Sequence, residues 1–452
     1  MKIRNFISSL HLAALLSLSL LIVLFGYLIL RTYHRRFDLS EGKVYGLAPQ
    51  TIQVLDTLKN EPVTVSAFFP DPSPLKEPLE NLLKEYAYHH HKFHYTFYDP
   101  DRMPAKVKQY QIDAYETIVI EAKGKREKTK QTTEEAITNS LVKLLHQESK
   151  TIGFAGGYGS PPLEDEKEKI GYGLLRKKLI EANYKVDEIF LARGGIPHQL
   201  DLLIFGGPRV DLLPEELKSI REYLANGGNV LILIDPVDSG QGKNLEHFLS
   251  EYGIQLGNDA IVDKLSKLFG ADFLIPLITE YKPHAITRGF RMASFFPIAR
   301  SVRKAKKVSA GLEVSEIAWT GAGSWAETDL KSLAEGTAEF NLQTDQPGPI
   351  PVMVAVQKTG VKGGRMVVVG DSDFAANAYL NLSGNRDLLL NAAAWLAGDE
   401  LAIAIRPRAR EITPLYLKET DQQFLFYAPV LGFPFVFLAA GTGVFFWRRR
   451  FH

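Results

Sequence analysis

The 452-residue chain contains no cysteine. Disulfide bonds, a thiolate nucleophile and a zinc site built on sulfur are therefore excluded. The chain also has no excess of charge of either sign, because 53 Lys and Arg residues stand against 52 Asp and Glu residues, a formal net charge of +1. A near-neutral chain has no global positive field that would attract a polyanion, so we expect no nucleic-acid partner.

A nucleotide-binding loop is also missing, although glycines follow an apolar run in TIGFAGGYGSPP (151–162). A dinucleotide fingerprint needs a further glycine where Ser160, Pro161 and Pro162 stand. No Gly-Lys-Ser/Thr sequence closes a P-loop either. We interpret the stretch as a tight turn, and we predict that the chain binds no nucleotide and no other cofactor.

Long uncharged segments are present at both ends of the chain, at 12–30 and 424–447. Each is about as long as the ~20 residues that a helix needs to cross the hydrocarbon core of a bilayer. For the first segment the alternative is a cleaved signal peptide, but no small-x-small cleavage site follows it. For the second the alternative is a buried core helix. We predict two transmembrane helices, with the lipid bilayer as a partner.

The cations beside these segments predict an orientation. Arg448, Arg449 and Arg450 follow the second segment, and the positive-inside rule places such a cluster in the cytoplasm. Two spans bring both termini to one side. The sequence therefore predicts a two-pass protein of the cell (inner) membrane, with both termini cytoplasmic and the bulk of the chain extracytoplasmic.

The first part of the middle region predicts a small α/β domain. Apolar spacing predicts helices at 49–58, 75–88 and 134–146, strands at 63–69 and within KFHYTFYDPD, and a hairpin in TIVIEAKGKREKTKQT. This mixture over about 110 residues matches a thioredoxin-like domain in size. Because no Cys-x-x-Cys is present, such a domain would have no redox function.

From residue 150 onwards the pattern changes to strands that alternate with helices. We predict strands at 151–155, 186–190, 201–205, 229–234 and 366–369, and helices at 173–181 and 214–225. The apolar runs LLIF and VLILI indicate a parallel, doubly wound sheet that is covered on both faces. Residues 240–364 are less regular, and we interpret them as an elaboration of the same domain.

The predicted organisation thus has five parts. They are a cytoplasmic tip and transmembrane anchor (1–36), a thioredoxin-like domain (37–148), a parallel α/β domain (149–400), a linker (401–422), and a transmembrane helix with an Arg-rich cytoplasmic tail (423–452).

Four turns each follow a predicted strand, at 156–159, 206–208, 235–236 and 370–373. If the strands are parallel, these turns line one edge of the sheet, where doubly wound folds bind ligands. Asp235, Asp371 and Asp373 could then hold a cation or act as general acids or bases, and Tyr158 lies in the first turn. Asp is also common in turns and at helix N-caps, where it accepts hydrogen bonds from free N–H groups. We favour that second interpretation and assign no catalytic, cofactor or metal residue.

Two further patterns are weak. The histidine cluster in YHHHKFHY (88–95) has no carboxylate at local spacing, so we interpret it as a solvated strand end rather than a metal site. Ser160 and Ser372 lie in no Gly-x-Ser-x-Gly elbow, which disfavours a serine hydrolase.

Several longer motifs resemble one protein family. They are FDLSEGKVYGLAPQTIQVLDTL, EPVTVSAFFP, LLKEY, YDPDRMPAKVKQY, DLLIFGGPRVDLLPEELKSIREYLANGGNVLILIDP and GDSDFAANAYLNLSGNRDLLLNAAAWLAGDE. In this order, over nearly the whole chain, they resemble the auxiliary subunit of gliding-motility-type ABC transport systems. At 156–159 the chain has Gly-Gly-Tyr-Gly, whereas the family often has a turn of the Gly-His-Gly-Glu type.

The resemblance implies a non-enzymatic, substrate-binding-like or auxiliary subunit that works beside an ABC permease and a separate ATP-binding subunit. It also implies a glutamine-amidotransferase-like (Rossmann-like) fold for the larger domain, shared with intraflagellar-transport proteins. Enzymes of that fold use a cysteine at a strand-to-helix elbow, and this chain has none. The alternatives are a membrane-anchored hydrolase or metal-dependent enzyme that uses Asp235, Asp371 and Asp373, and a cell-envelope scaffold without a transporter.

Overall fold

The computed structural model describes residues 46–399, apart from 146–148, 237–241, 265, 267–271 and 361–362, and a few isolated positions near the two ends. The chain divides into two units, Met1–Pro407 and Arg408–His452. The architecture below belongs to the first unit, which is mixed α/β with several sheets.

A four-stranded sheet forms the first layer. The elements are α1 (Pro49–Thr57), β1 (Val63–Phe68), α2 (Lys76–His89), β2 (Phe93–Tyr98), α3 (Pro104–Tyr110), β3 (Thr117–Ala122), β4 (Lys125–Thr129) and α4 (Glu134–Leu145). The strand order is β2-β1-β3-β4, with β1 and β2 parallel and the other pairs antiparallel. The label thioredoxin-like stays a prediction for this part of the chain.

Helical spacing explains how α2 covers this sheet. Leu79, Leu83 and Tyr86 lie three or four residues apart, so they share one face of the helix, and all three are fully buried. They belong to one core cluster with Ile118 and Ile120 of β3, whereas Val119 between them is buried in a second cluster on the other face of the sheet. The histidines lie at the junction that follows: α2 ends at His89, His90 is buried, and β2 begins at Phe93.

A nine-stranded sheet dominates the rest of the unit. The elements that precede its irregularly connected part are β5 (Thr151–Ala155), α5 (Gly173–Glu181), β6 (Lys185–Ile189), α6 (Leu191–Gly194), β7 (Leu202–Gly206), α7 (Pro214–Ala225), β8 (Val230–Leu233) and α8 (Lys243–Glu251). Then follow β9 (Ile254–Leu256), β10 (Ala260–Asp263), β11 (Leu277–Tyr281), β12 (Ser294–Phe295), β13 (Val302–Lys304), β14 (Leu312–Thr320), β15 (Ser324–Glu327) and α9 (Leu330–Ala334). The last are β16 (Gln346–Pro347), β17 (Pro351–Lys358), β18 (Arg365–Val369), a 3-10 turn (Asp373–Ala375) and α10 (Asn385–Leu396).

The strand order of this sheet is β12-β11-β14-β17-β18-β8-β7-β5-β6. From β18 to β6 neighbouring strands are parallel, whereas β11, β14 and β17 are antiparallel to their neighbours. Residues 240–364, predicted to be irregular, thus supply four strands of the sheet as well as the smaller sheets β10-β15-β16 and β13-β9.

Both faces of the parallel region are covered. Along β7, Leu202 and Ile204 join a core cluster with Leu175 of α5, while Leu203 and Phe205 join a second cluster on the other face. A strand that is buried on both faces needs apolar residues at every position, and LLIF meets this requirement.

The prediction of two transmembrane helices requires a correction. Among the described residues no helix is both long and apolar enough to cross a membrane. The longest helix of that part, α2, has 14 residues and a length of about 21 Å, less than the ~30 Å of hydrocarbon that a span must cover. This finding overturns the predicted membrane helices and the two-pass location in the cell membrane. The segments 12–30 and 424–447 themselves, like the predicted linker, lie outside the described residues except at isolated positions.

Candidate functional site

The four turns that follow β5, β7, β8 and β18 lie at one edge of the nine-stranded sheet. These strands are consecutive neighbours in the order β18-β8-β7-β5 and are parallel, so their carboxyl ends point the same way. We call this region the carboxyl edge, and it comprises 156–159, 206–208, 235–236 and 370–373. In open α/β sheets such an edge is the usual position of a ligand.

Two of the turns are joined by a carboxylate and a serine. Asp235 Oδ1 accepts a hydrogen bond of 2.6 Å from the Ser372 backbone N–H, and Asp235 Oδ2 accepts one of 2.7 Å from Ser372 Oγ. A third turn packs against this pair at Gly207, whose φ is +61°. A Cβ atom at Gly207 would lie 2.5 Å from Ser372 Oγ, so only glycine fits there without moving the serine.

Asp371 lies beneath this contact and is fully buried. Its Oδ1 accepts a hydrogen bond of 2.8 Å from the Asp373 N–H, which caps the start of the 3-10 turn. Its Oδ2 is buried and has no hydrogen-bond partner in the described structure. Burial first, and the charges of Asp235 and Asp373 second, raise the pKa of Asp371 well above its usual value.

The other two acids are partly accessible to solvent. Burial raises the pKa of Asp235, and its bonds from Ser372 and the nearby Arg209 and Arg300 oppose that shift. Burial and the charge of Asp235 raise the pKa of Asp373, and Arg209 again opposes the shift. The structure therefore brings Asp235, Asp371 and Asp373 together, as the sequence predicts for parallel strands. The charge of Asp235 favours the protonated forms of Asp371 and Asp373, and the charge of Asp373 favours that of Asp371.

Arg300 donates hydrogen bonds to two turns of the carboxyl edge. This contact was not anticipated from the sequence. The Arg300 backbone N–H donates to Gly370 O (2.7 Å), and its Nη1 donates to Asp235 O (3.2 Å). Its Nε donates to Gly257 O (2.9 Å). These partners lie 43 to 70 residues away along the chain, so no local sequence pattern could have revealed the contact.

Tyr172 and Tyr158 occupy different positions at this edge. The Tyr172 hydroxyl donates to Ser372 O (3.2 Å), so this buried ring supports the turn after β18. Tyr158 is buried against Phe205, with ring centroids 5.7 Å apart. Burial and interaction with Glu216 of α7 raise the pKa of the Tyr158 hydroxyl. Tyr158 thus lies near Glu216. The tyrosine beside Asp235, Asp371 and Asp373 is Tyr172, which was not predicted from the sequence.

The chemical capacity of the carboxyl edge is limited by these contacts. Among the described residues no group of three or more His, Cys, Asp or Glu side chains is arranged to hold a metal ion. Asp235 uses both oxygens on Ser372, and Asp371 is enclosed. Asp373 is only half-buried, and hydrogen bonds are not among the causes that shift the pKa of its carboxyl group.

A polar cleft of about 600 Å³ lies at the opposite edge of the same strands. Its lining includes Lys150, Asp201 and Asn229, which come just before β5, β7 and β8, and Arg365 at the start of β18. These groups bond to one another: Lys150 Nζ lies 3.0 Å from Asp201 Oδ1, and Asn229 Oδ1 accepts from the Arg365 N–H at 3.0 Å. These four polar residues of the lining therefore already have partners within the cleft.

Comparison with known proteins decides the family. Residues 149–392, more than half of the chain, match the family described as "ABC-type uncharacterized transport system". The chain belongs to this family of ABC transport auxiliary components. Residues 41–141 of the auxiliary component match a second family, described as a domain of unknown function (DUF7088).

Curated relatives of the auxiliary component match it over a short stretch. The intraflagellar transport protein 52 homolog of Mus musculus is 30% identical over 99 residues, which is 20% of this chain and 22% of that protein. The Homo sapiens homolog is 32% identical over 99 residues, which is 20% of this chain and 21% of that protein. The chain thus spans about a fifth of the length of these relatives.

Solved structures show a remote likeness. The mmIFT52 N-terminal domain aligns with a TM-score of 0.41 and 18% identity, over 54% of this chain and 97% of that domain. A ThuA-like protein from Bacteroides uniformis aligns with a TM-score of 0.34 and 12% identity, over 56% of this chain and 93% of that protein. With TM-scores below 0.5, nothing about function follows from either.

Proposed function

We propose that this chain is a non-enzymatic component of an ABC-type transport system and works beside a permease and a separate ATP-binding subunit. The family match over 149–392 carries the proposal. The sequence contains no Walker A motif, so the ATP hydrolysis that drives such a system must come from another chain.

The contacts at the carboxyl edge support a non-enzymatic role. A catalytic group needs an atom that can reach substrate, at hydrogen-bond distance or through one water molecule. Asp235 instead accepts two hydrogen bonds from Ser372, and Asp371 caps the Asp373 N–H from a fully buried position. In this proposal Asp235 and Asp371 hold the turns in place, as Tyr158 does through its contact with Phe205, and Asp373 is the side chain left to meet a ligand.

Co-purification tests the proposal. The tagged full-length chain is isolated from its native cells under mild solubilisation, and the accompanying proteins are identified by mass spectrometry. We expect a multi-span permease and a Walker-containing ATPase, both absent from a control purification with the tag alone. Repeated recovery of the chain without these partners would contradict the proposal.

Substitution at the edge separates this function from a hydrolase or other enzyme. Asp373→Asn keeps the size of the side chain and removes its charge. An auxiliary component should keep its partners in the co-purification, and transport should fall only if Asp373 meets the cargo. An enzyme that uses Asp373 would lose turnover while its fold and partners remain, and that result would favour the alternative.

A further inference from the structure

The outer edge of β2 differs from the other edges of the two larger sheets. Sheet edges present unpaired N–H and C=O groups, and proteins usually protect them with charged residues, proline or a covering group. Four of the five residues of β4 are charged, at 125–128, and three of the five residues of β6 are charged, at 185, 187 and 188. Both of these edges therefore carry the usual protection.

The short edge strand β12 is protected by a side chain. The Phe295 N–H donates to Asn385 Oδ1 at 2.8 Å, and Asn385 Nδ2 donates to Phe295 O at 2.8 Å. The amide thus pairs with the strand as another strand would. Strand β2 (FHYTFY) lacks the protection of charge and of proline, since it contains no Asp, Glu, Lys, Arg or Pro.

The hydrogen bonds of β2 show which of its groups face outward. The Val63 N–H donates to Lys92 O and the Phe69 N–H donates to Tyr98 O, so 92, 94, 96 and 98 direct their backbone groups toward β1. By alternation, Tyr95 and Phe97 direct theirs away from β1. In the described part of the chain no strand pairs with that side of β2. Among the described residues, two consecutive N–H and C=O pairs at this uncharged edge therefore have no strand partner.

We propose that β2 pairs antiparallel with β2 of a second copy of this chain, about a two-fold axis at Thr96. In this register Tyr95 lies opposite Phe97 of the other copy, and Phe97 lies opposite its Tyr95. Each of these two pairs exchanges both N–H···O bonds, so four hydrogen bonds form. The two four-stranded sheets then become one continuous sheet.

The side chains in this register favour a second copy over a foreign strand. On one face two Tyr–Phe pairs form, and on the other Thr96 lies opposite Thr96, both of which are stabilising cross-strand combinations. Tyr95 and Phe97 are only partly buried, and His94 and Thr96 are exposed. No like charges oppose each other across the axis. An isologous contact of this kind closes on itself, so it gives a dimer rather than a fibre.

Cysteine cross-linking tests the register directly, because the chain has no cysteine of its own. Residues opposite each other in a non-hydrogen-bonded pair have Cα atoms about 4.5 Å apart, within the range that a disulfide allows. Full-length Thr96→Cys should therefore form an intermolecular disulfide on mild oxidation. The control His94→Cys lies on the same face of the same strand, but its two copies would be about 13 Å apart. It should remain uncross-linked.

The oligomeric state gives a second measurement. Light scattering after size-exclusion chromatography, over a concentration series, should show twice the chain mass for the wild type. Thr96→Lys places two ammonium groups opposite each other and should return the protein to the monomer with an unchanged circular dichroism spectrum. Equal cross-linking of both cysteine variants, cross-linking of Thr96→Cys to a different protein, or a dimer that persists in Thr96→Lys would each overturn the proposal.

Discussion

At the scale of single residues, Asp371 combines full burial with an oxygen that has no partner. An acid whose pKa is raised by folding binds its proton more tightly in the folded chain than in the unfolded one. The free energy of unfolding therefore falls as the pH rises from the unfolded value near 3.9 through the folded pKa. The stabilisation that the protonated acid gives is complete below this window and is lost above it.

Asp371→Asn removes this titration and should flatten the pH dependence. The variant should gain stability relative to the wild type as the pH rises, by about 1.4 kcal/mol for each unit by which folding raises the pKa. Denaturant unfolding of both proteins from pH 4 to pH 8 measures the difference. The exposed Asp56→Asn is the control and should parallel the wild type. Parallel curves for Asp371→Asn and the wild type would show that Asp371 does not titrate differently on folding.

Gly207 offers a second prediction at the residue scale. An alanine there meets both a positive φ and a contact of 2.5 Å with Ser372 Oγ, which would displace Ser372 from Asp235. Gly242 has a φ of +77° and nothing within 4 Å of an added Cβ. Gly242→Ala should therefore lower the free energy of unfolding only by the strain of a left-handed backbone, roughly 1–2 kcal/mol. Gly207→Ala should lower it by clearly more. Thermal unfolding compares the two variants. Equal losses of stability would mean that Ser372 can move away from residue 207 without destabilising the fold.

At the scale of elements, a buried hydroxyl network joins α1, α2 and α4, three helices beside the four-stranded sheet. The Tyr86 hydroxyl of α2 lies 2.6 Å from Thr138 Oγ1 of α4 and donates to Glu134 O at 3.1 Å. Thr51 Oγ1 of α1 lies 3.1 Å from the same Thr138 oxygen. Helix α1 is thereby fixed against α4 by polar contacts as well as by packing.

Tyr86→Phe should destabilise this region by about 1–2 kcal/mol, because it removes a buried hydrogen-bonding group and keeps the ring. Tyr88→Phe is the matched control on the same helix, since Tyr88 is 52% exposed, and its effect should be close to zero. Urea unfolding followed by circular dichroism checks both. If Tyr86→Phe lowers stability as little as the control does, the hydrogen bond between Thr51 and Thr138 is sufficient without the Tyr86 hydroxyl.

The sequence predicts most of these elements because their determinants are local. The helices Pro214–Ala225 and Gly173–Glu181 and the strand Thr151–Ala155 have the predicted bounds, since turns or a helix-starting proline delimit them. The strands of 240–364 were missed because their partners are remote. Pro351–Lys358 pairs with Leu312–Thr320. Residues 321–350 separate these strands, so no short hairpin turn in the sequence indicates the pairing.

At the scale of the whole molecule, the difference between local and remote determinants also limits how much of the site the sequence could predict. The sequence predicts Asp235, Asp371 and Asp373 at one edge on the condition that their strands are parallel, and β8 and β18 are indeed parallel neighbours. The hydrogen bonds from Arg300 to Asp235 O and from Tyr172 to Ser372 O depend on tertiary packing, which a local pattern does not predict. The membrane prediction was made from apolar length, and among the described residues no helix is both long and apolar enough to cross a membrane.

The position of β18 between β8 and β17 has a consequence for synthesis of the chain. Strand β8 is complete at Leu233, but its neighbour β18 begins only at Arg365. At a rate of about 5–20 residues per second, the ribosome needs roughly 7–26 seconds to make the intervening stretch. During that time the uncharged edge VLIL of the nascent sheet is open to other chains. Chaperone protection should therefore matter most in the interval before β18 emerges.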